Sequence, residues 1–98
     1  MCTLHKTRLF SRSGSITIPR EWRERFGLLP GRQAEFIHEA GSILIREALE
    51  ETTYNKGFIS EKGTVNIPKE LREELGIQPR SIYHLYADDE EQGIVMTR

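Results

Sequence analysis

An internal repeat constrains the fold of this chain more than any single motif does. Residues 10–30 align with residues 59–79, and nine of the 21 aligned pairs are identical, where chance would give about one or two. The identical pairs are Ser11/Ser60, Gly14/Gly63, Ile18/Ile67, Pro19/Pro68, Glu21/Glu70, Arg23/Arg72, Glu24/Glu73, Gly27/Gly76 and Pro30/Pro79. We therefore divide the chain into a first repeat (residues 1–47), a linker (residues 48–56) and a second repeat (residues 57–98).

Each repeat is predicted to fold as strand, turn, strand, short helix and β-hairpin. Gly14 and Gly63 lie in polar breaks, where a turn favours a residue that adopts positive φ. A proline follows each second strand and fits the first turn of a helix, because its missing N–H would find no partner there. The predicted helices are Arg20–Phe26 and Lys69–Leu75, and the predicted hairpin strands are residues 33–38, 43–46, 81–87 and 94–97. For the linker region, a short helix at residues 47–51 is one alternative.

The two repeats are expected to share one hydrophobic core. A single repeat has about 45 residues, and a core of that size rarely offsets the entropy lost by the ordered chain. The expected core residues are Leu9, Ile16, Ile18, Trp22, Phe26, Phe36, Ile43 and Ile45 in the first repeat, and Phe58, Val65, Ile67, Leu71, Leu75, Leu85, Ile94 and Met96 in the second. The sequence thus predicts one domain that is mainly β with two short helices, arranged as a pseudo-twofold barrel.

Composition excludes several classes of protein. The chain has 98 residues, of which 37% are hydrophobic and 30% are charged, as in a small globular domain. Its longest aliphatic run, residues 43–45, is far shorter than the ~20 residues of a membrane-spanning helix. Residues 1–15 lack the apolar stretch of a secretory signal. A single cysteine forms no internal disulfide, so we expect a cytoplasmic protein without contact to a membrane.

The net charge of −1 conceals an uneven distribution along the chain. Residues 1–33 contain seven basic and two acidic residues, which gives a charge of +5. Residues 49–98 contain six basic and ten acidic residues, which gives a charge of −4. This separation favours contact of the first third of the chain with a polyanion such as a nucleic acid.

A fourteen-residue sequence motif, present once in each repeat, resembles that of a known family. Residues 14–27 read Gly-x-Ile-x-Ile-Pro-Arg-Glu-x-Arg-Glu-x-Phe-Gly, and residues 63–76 read Gly-x-Val-x-Ile-Pro-Lys-Glu-x-Arg-Glu-x-Leu-Gly. With the proline and hairpin that follow, the pattern resembles the AbrB/MazE/SpoVT-type swapped-hairpin domain over residues 8–46 and again over residues 57–98. In that family two copies usually come from two chains, whereas MraZ-type proteins carry both in one chain.

The resemblance implies a fold and a function. The fold is a pseudo-twofold swapped-hairpin β-barrel of the AbrB type, in which the hairpins of the two copies interleave. The function is that of a small sequence- or shape-selective DNA-binding transcription regulator, nucleoid-associated and often assembled into homodimers or higher homo-oligomers. Neither predicted helix is long enough to fill a major groove, so we expect readout by loops, strand edges and DNA deformability.

The resemblance also implies which residues contact double-stranded DNA. AbrB-like proteins use arginines in the first strand, after the turn glycine and in the short helix. Arg8, Arg23 and Arg72 match such positions, whereas Ser15 and Thr64 follow the turn glycines here. Additional basic residues supply further charge for phosphate binding, namely Arg12, Arg20, Arg25, Lys62 and Lys69. We expect the residues of the first repeat to contribute most.

Several of these residues have alternative interpretations. Arg23 and Arg72 each lie in a Glu-x-Arg-Glu context, in which they would form structural ion pairs.

Cys2 and His5 have C-x-x-H spacing, but two ligands do not make a zinc site. We expect no metal, no cofactor and no catalytic residue, and hence no enzyme. The acidic run at residues 88–91 is interpreted as a solvated hairpin tip, with a calcium or partner contact as the alternative.

Two other functions are alternatives to DNA binding. The first is an antitoxin-like or other protein-binding module of a toxin–antitoxin pair, which would use the acidic face of the second repeat. The second is self-assembly, in which the acidic repeat of one chain docks on the basic repeat of another.

Overall fold

Eight strands and two helices make up the described part of the chain. A computed structural model describes the backbone of residues 2–98 and the side chains from residue 6 onward. The elements of the first repeat are β1 (Cys2–Leu9), β2 (Ser15–Thr17), α1 (Arg20–Phe26), β3 (Gln33–Glu39) and β4 (Ser42–Glu47). Those of the second are β5 (Asn55–Phe58), β6 (Thr64–Asn66), α2 (Lys69–Leu75), β7 (Ile82–Asp88) and β8 (Gly93–Thr97). The protein is therefore mainly β with two short helices, as expected from the sequence.

Both helices have the bounds that the sequence predicts. Each follows a proline with φ of −53° and ends at a glycine in the left-handed region. The first helix buries Trp22 and Phe26, and the second buries Leu71 and Leu75 at the equivalent positions. Each helix thus covers the core with one apolar stripe, and Trp22 is a core residue.

Apart from two hairpins, the described strands of each repeat pair with strands of the other repeat. β1 of the first repeat pairs antiparallel with β7 of the second, and β5 of the second pairs antiparallel with β3 of the first. β2 pairs with β6, and β4 pairs with β8. Only the hairpins β3–β4 and β7–β8 stay within a repeat. Neither repeat can therefore complete its sheet alone.

The register of these pairs reveals a pseudo-twofold axis. Ile16 faces Val65 at the centre of the β2–β6 ladder, and Leu44 faces Val95 at the centre of the β4–β8 ladder. In each ladder the central pair joins equivalent positions of the two repeats. The axis therefore passes through both ladders and relates one repeat to the other.

The strands form two separate sheets, and these ladders do not close into a barrel. The larger sheet has the order β1-β7-β8-β4-β3-β5, and the smaller sheet contains only β2 and β6. β2 and β6 have three residues each, and a proline lies two residues beyond the end of each strand. Because proline lacks the N–H that a ladder needs, it limits the length of each of these strands.

The core contains the expected residues except at the ends of β1 and β5. Leu9 and Phe58 were expected inside, but they are 66% and 68% exposed. The next residues, Phe10 and Ile59, are buried instead, each with 2% of its surface exposed. Because successive side chains of a strand point to opposite faces, an error of one position exchanges the buried face for the exposed one.

The linker does not form the short helix considered for residues 47–51. β4 continues to Glu47, and a turn at residues 50–51 follows. The backbone N–H of Leu49 donates to Glu35 Oε1 at 3.3 Å, and that of Ala48 donates to the Gln33 carbonyl at 2.9 Å. These bonds hold the start of the linker against β3, where helical hydrogen bonds would not form.

Candidate nucleic-acid interface

Two equivalent turns flank the β2–β6 ladder. We call residues 11–14 the first turn and residues 60–63 the second turn. Gly14 N–H donates to the Ser11 carbonyl at 3.3 Å, and Gly63 N–H donates to the Ser60 carbonyl at 2.9 Å. Both glycines have a φ near +80°, a conformation that other residues adopt only with strain. The turns are therefore built alike and are related by the pseudo-twofold axis.

The distance between the turns follows from the ladder. Ile67 N–H donates to the Gly14 carbonyl, and Ile18 N–H donates to the Gly63 carbonyl, each at 2.9 Å. The turns thus lie at opposite ends of a ladder that spans four residue steps, or about 13 Å at ~3.3 Å per residue. The same bonds place the start of each helix beside the turn of the other repeat.

The helix arginines lie over the turn glycines of the opposite repeat. A Cβ on Gly14 would lie 2.5 Å from Arg72 Nη1 and 2.8 Å from Arg72 Cζ. A Cβ on Gly63 would meet the guanidinium of Arg23 even more closely. Each guanidinium therefore occupies the space that a side chain at the glycine would fill. The identical Gly and Arg pairs of the repeat were the sequence signal for this contact.

Among the described residues, the two helix arginines have no carboxylate partner. Their Nε atoms are buried and have no hydrogen-bond partner. Among the described residues, neither Arg23 nor Arg72 makes an ion pair, in contrast to the Glu-x-Arg-Glu interpretation. Arg20 does pair with Glu24, at 3.2 Å between Nε and Oε1, but both side chains are mostly exposed. Arg23 and Arg72 therefore carry positive charges that no carboxylate in the described residues pairs directly.

Hydroxyl groups line the first turn. Ser13 Oγ lies 3.1 Å from Ser11 Oγ and 2.9 Å from Ser15 Oγ. Ser11 Oγ donates to the Ser15 carbonyl at 2.8 Å. Asn66 of β6 donates from Nδ2 to the Ser13 carbonyl at 2.9 Å and so ties the turn to the second repeat. Arg12 is exposed at the tip of this network.

The second turn has the same backbone but a different charge. Ser60 Oγ lies 2.7 Å from Thr64 Oγ1 and accepts from the Thr64 N–H at 3.0 Å, as the serine at the first turn does. Glu61 stands where the first turn has Arg12, and Lys62 stands where it has Ser13. Both side chains are exposed. With the helix arginine included, the first turn carries two positive charges and the second carries a net charge of one.

The remaining predicted residues of the site, Lys69, Arg8 and Arg25, lie in different surroundings. Lys69 is exposed at the start of α2, close to the first turn, and Arg8 is exposed on β1 opposite Tyr83. Burial raises the pKa of Tyr83, and the nearby charge of Arg8 opposes this rise. Arg25 is different, because it pairs with Asp89 of the second hairpin at 2.5 Å and lies 5.5 Å from the centre of the Phe26 ring. The structure thus gathers Arg12, Lys69 and Arg72 at the first turn and Arg20, Arg23 and Lys62 at the second.

A buried ion pair in the first hairpin was missed by the sequence analysis. Arg46 Nε lies 2.7 Å from Glu35 Oε2, and the Glu35 side chain is 1% exposed. Burial acts to raise the pKa of Glu35, but hydrogen bonds from Thr52, Arg46 and Leu49 outweigh it and hold the pKa below its usual value of 4.5. The same bond raises the pKa of Arg46. The signal was a single glutamate between Ala34 and Phe36 in an otherwise apolar stretch.

The acidic run of the second hairpin is not simply solvated. Asp89 pairs with Arg25, and Glu91 Oε2 lies 3.7 Å from Arg46 Nη1. Asp88 Oδ1 accepts from the backbone N–H groups of Glu90 and Glu91. The run therefore holds the tip of the second hairpin against α1 and β4.

The described residues contain no cluster of metal-ligating side chains and no membrane-spanning helix. From residue 6 onward, no group of three His, Cys, Asp or Glu side chains is arranged to hold a metal ion. The C-x-x-H pair of Cys2 and His5 lies outside the described side chains. Within residues 2–98, neither helix has the length and apolarity to cross a bilayer.

Comparison with known proteins shows the fold and no more. The chain is similar to the solution structure of PHS018 from Pyrococcus horikoshii, with a TM-score of 0.56 and 24% sequence identity. The similarity covers 100% of this chain and 91% of that chain. No protein-family model and no curated protein matches the sequence.

Proposed function

We propose that this chain binds double-stranded DNA as a small transcription regulator, through the surface that carries the two turns and the β2–β6 ladder. The observation that carries the proposal is the pair of arginines, Arg23 and Arg72, fixed at equivalent turns without a carboxylate partner. Each arginine is half-buried and only its Nε is enclosed, so its Nη groups are the part that a phosphate oxygen would reach, and a phosphate would also neutralise the charge.

The arrangement of charges on this surface suits a duplex. The two turns that carry the basic side chains lie about 13 Å apart along the ladder, across the pseudo-twofold axis, and this spacing is close to the ~12 Å width of the major groove. Exposed polar side chains lie between them on the ladder, namely Thr17 and Asn66, with Ser15 and Thr64 half-buried. Phosphate contacts at the clusters would position the protein, and the polar groups would reach base edges.

The strand pairing supports an extension of the proposal to the fold. We assign the chain to the swapped-hairpin barrel type, with both copies in one polypeptide. The support is the exchange of partners, in which β1 pairs with β7 and β5 pairs with β3. The short β2–β6 ladder would then be one wall of the barrel and the larger sheet the rest.

A salt titration of DNA binding tests the proposed function. Fluorescence anisotropy of a labelled duplex is measured with the full chain at several salt concentrations. Because binding of Z phosphates releases counterions, the logarithm of the affinity should fall with a slope of about −0.9Z against the logarithm of salt concentration. Six basic residues at the turns predict a slope of about −5. Absence of binding at the lowest salt concentration would refute the proposal.

Single substitutions locate the binding surface in the same assay. Arg12→Gln should weaken binding about tenfold at low salt, and Arg8→Gln should weaken it less, because Arg8 lies on β1 and belongs to neither turn. Lys62→Gln should have a smaller effect, since Glu61 already offsets its charge. Arg32→Gln is the matched control, because Arg32 loses the same charge but is paired with Glu47 at 2.8 Å. Equal effects of all four substitutions would show that only net charge matters.

A protein-binding module is the second candidate function, and exposed apolar side chains favour it. Leu9 and Ile82 face each other on β1 and β7, and they are 66% and 56% exposed. Phe58 on β5 is 68% exposed. β1 and β5 are also the outer strands of the larger sheet. Light scattering of the purified chain separates self-association from a monomer that requires another protein, such as the toxin of a toxin–antitoxin pair.

A further inference from the structure

The two repeats do not divide the proposed DNA surface between them in sequence order. Arg12 belongs to the first repeat and Arg72 to the second, but both lie at the first turn. Lys62 belongs to the second repeat and Arg23 to the first, but both lie at the second turn. Any grouping of these residues by repeat therefore separates side chains that are neighbours in space.

We propose that each turn and the helix arginine of the opposite repeat form one phosphate-binding unit. In this arrangement Arg72 acts with Arg12 and the serine hydroxyls, while Arg23 acts with Lys62. The inference rests on the proposed DNA binding, and it adds which residues act together on one phosphodiester.

The packing of the guanidinium gives Arg72 its role. The guanidinium lies against Gly14, where the absence of a Cβ leaves room for it. Its Nε is buried, and the guanidinium packs against the backbone of Gly14, so this packing restricts the side chain. A restricted charge beside the turn strengthens the binding of an anion that the exposed Arg12 contacts, and it loses little conformational entropy when the anion binds.

Asn66 supports the same grouping. Its Nδ2 donates to the Ser13 carbonyl at 2.9 Å, so a second side chain from the second repeat holds the first turn. The equivalent position in the first repeat is Thr17, which has no side-chain amide to make this bond. The first unit is therefore the better organised of the two, and it also carries the greater positive charge.

Double-mutant cycles in DNA binding test the inference. Arg12→Gln, Arg72→Gln and Arg23→Gln should each weaken binding about tenfold at low salt. The Arg12/Arg23 double variant should lose about a hundredfold, since distant sites act independently. The Arg12/Arg72 double variant should lose about tenfold to thirtyfold, because both changes disable one unit. Lys62→Gln should show the same coupling to Arg23→Gln and not to Arg72→Gln.

The salt dependence distinguishes a role in binding from a role in folding. Arg72→Gln should reduce the salt slope by about one, and Arg72→Lys should keep the slope while losing some affinity. A purely structural arginine would change the affinity of both variants and the slope of neither. Thermal melting of each variant in the absence of DNA identifies any loss of folding, in which case the lysine variant carries the test.

The outcomes separate this inference from the proposed function. If the unmodified chain does not bind DNA at low salt, the proposed function is wrong. If it binds but Arg12 couples to Arg23 rather than to Arg72, the function stands and the exchanged units are wrong. Additive effects for every pair would also overturn the exchanged units.

Discussion

The two repeats agree in the residues that shape the backbone and differ in those that carry charge at the surface. Gly14 and Gly63 adopt the same conformation, and each receives an arginine from the opposite repeat. Beside these glycines the charges diverge, with Arg12 and Ser13 in one turn and Glu61 and Lys62 in the other. The hairpins diverge as well, because the Glu35–Arg46 ion pair occupies the place of His84 and Thr97.

This difference separates residues that the fold requires from residues that set only the charge of the surface. A turn with positive φ and a guanidinium over it favours glycine, because any other residue would strain the backbone and displace the arginine. A turn tip exposed to solvent places no such demand on its side chains, and surface substitutions there usually have small effects on stability. The tips can therefore acquire unequal affinities for an anion without loss of the shared core.

The largest expected effect is on the free energy of unfolding, and it differs between equivalent substitutions in the two hairpins. Arg46→Met would leave the carboxylate of Glu35 buried without its cation, and we expect a loss of about 3 kcal/mol in the free energy of unfolding. Thr97→Val changes the equivalent position of the second hairpin and should cost less than about 1 kcal/mol. Urea denaturation of both variants measures the difference. Similar losses would show that the ion pair contributes nothing specific to the first hairpin.

Replacement of the turn glycine should cause a smaller loss of stability, and the loss should be the same in both repeats. Gly14→Ala and Gly63→Ala would each strain the backbone and displace an arginine, and we expect a loss of about 2 kcal/mol in the free energy of unfolding. Gly41→Ala is the control, because Gly41 has a φ of +78° but no atom lies near its missing Cβ. It should lose only about 1 kcal/mol, from backbone strain alone. If all three variants lose the same amount, the arginine contact does not contribute.

The smallest effect concerns pH and again singles out the first hairpin. The pKa of Glu35 is lower in the folded protein than its usual value of 4.5, so its contribution to stability is present above that value. It is lost as the pH falls through the lowered pKa of the folded state. Urea midpoints between about pH 6 and about pH 3 should therefore decline more steeply for the unmodified chain than for Glu35→Gln. Parallel declines would contradict this role of Glu35.

The elements that local chemistry determines were predictable from the sequence. Pro19 and Gly27 bracket the first helix, and Pro68 and Gly76 bracket the second, so the bounds of both agree with the structure. The strand ends were less predictable, since Leu9 and Phe10 are both apolar and the alternation does not show which faces inward. Which of the two residues faces the core is set by hydrogen-bond partners in the other repeat. One such partner is Ser81, whose carbonyl accepts from the Phe10 N–H.

The candidate site was predictable as a set of residues but not as an arrangement. The duplicated motif identified Arg23 and Arg72, and the charge asymmetry identified Arg12. Which turn each helix arginine covers depends on the β2–β6 pairing, in which residues about 50 positions apart become neighbours. Local propensities do not determine such non-local pairs, so the exchange between the repeats is visible only in the structure.

The pseudo-twofold axis lies within a single polypeptide, and this has a consequence for how the protein can change. In a dimer of identical chains, any replacement appears twice, once on each side of the axis. Here one codon alters one side only. Adaptation can therefore tune each half of the molecule separately, and a ligand with unlike halves becomes an accessible target.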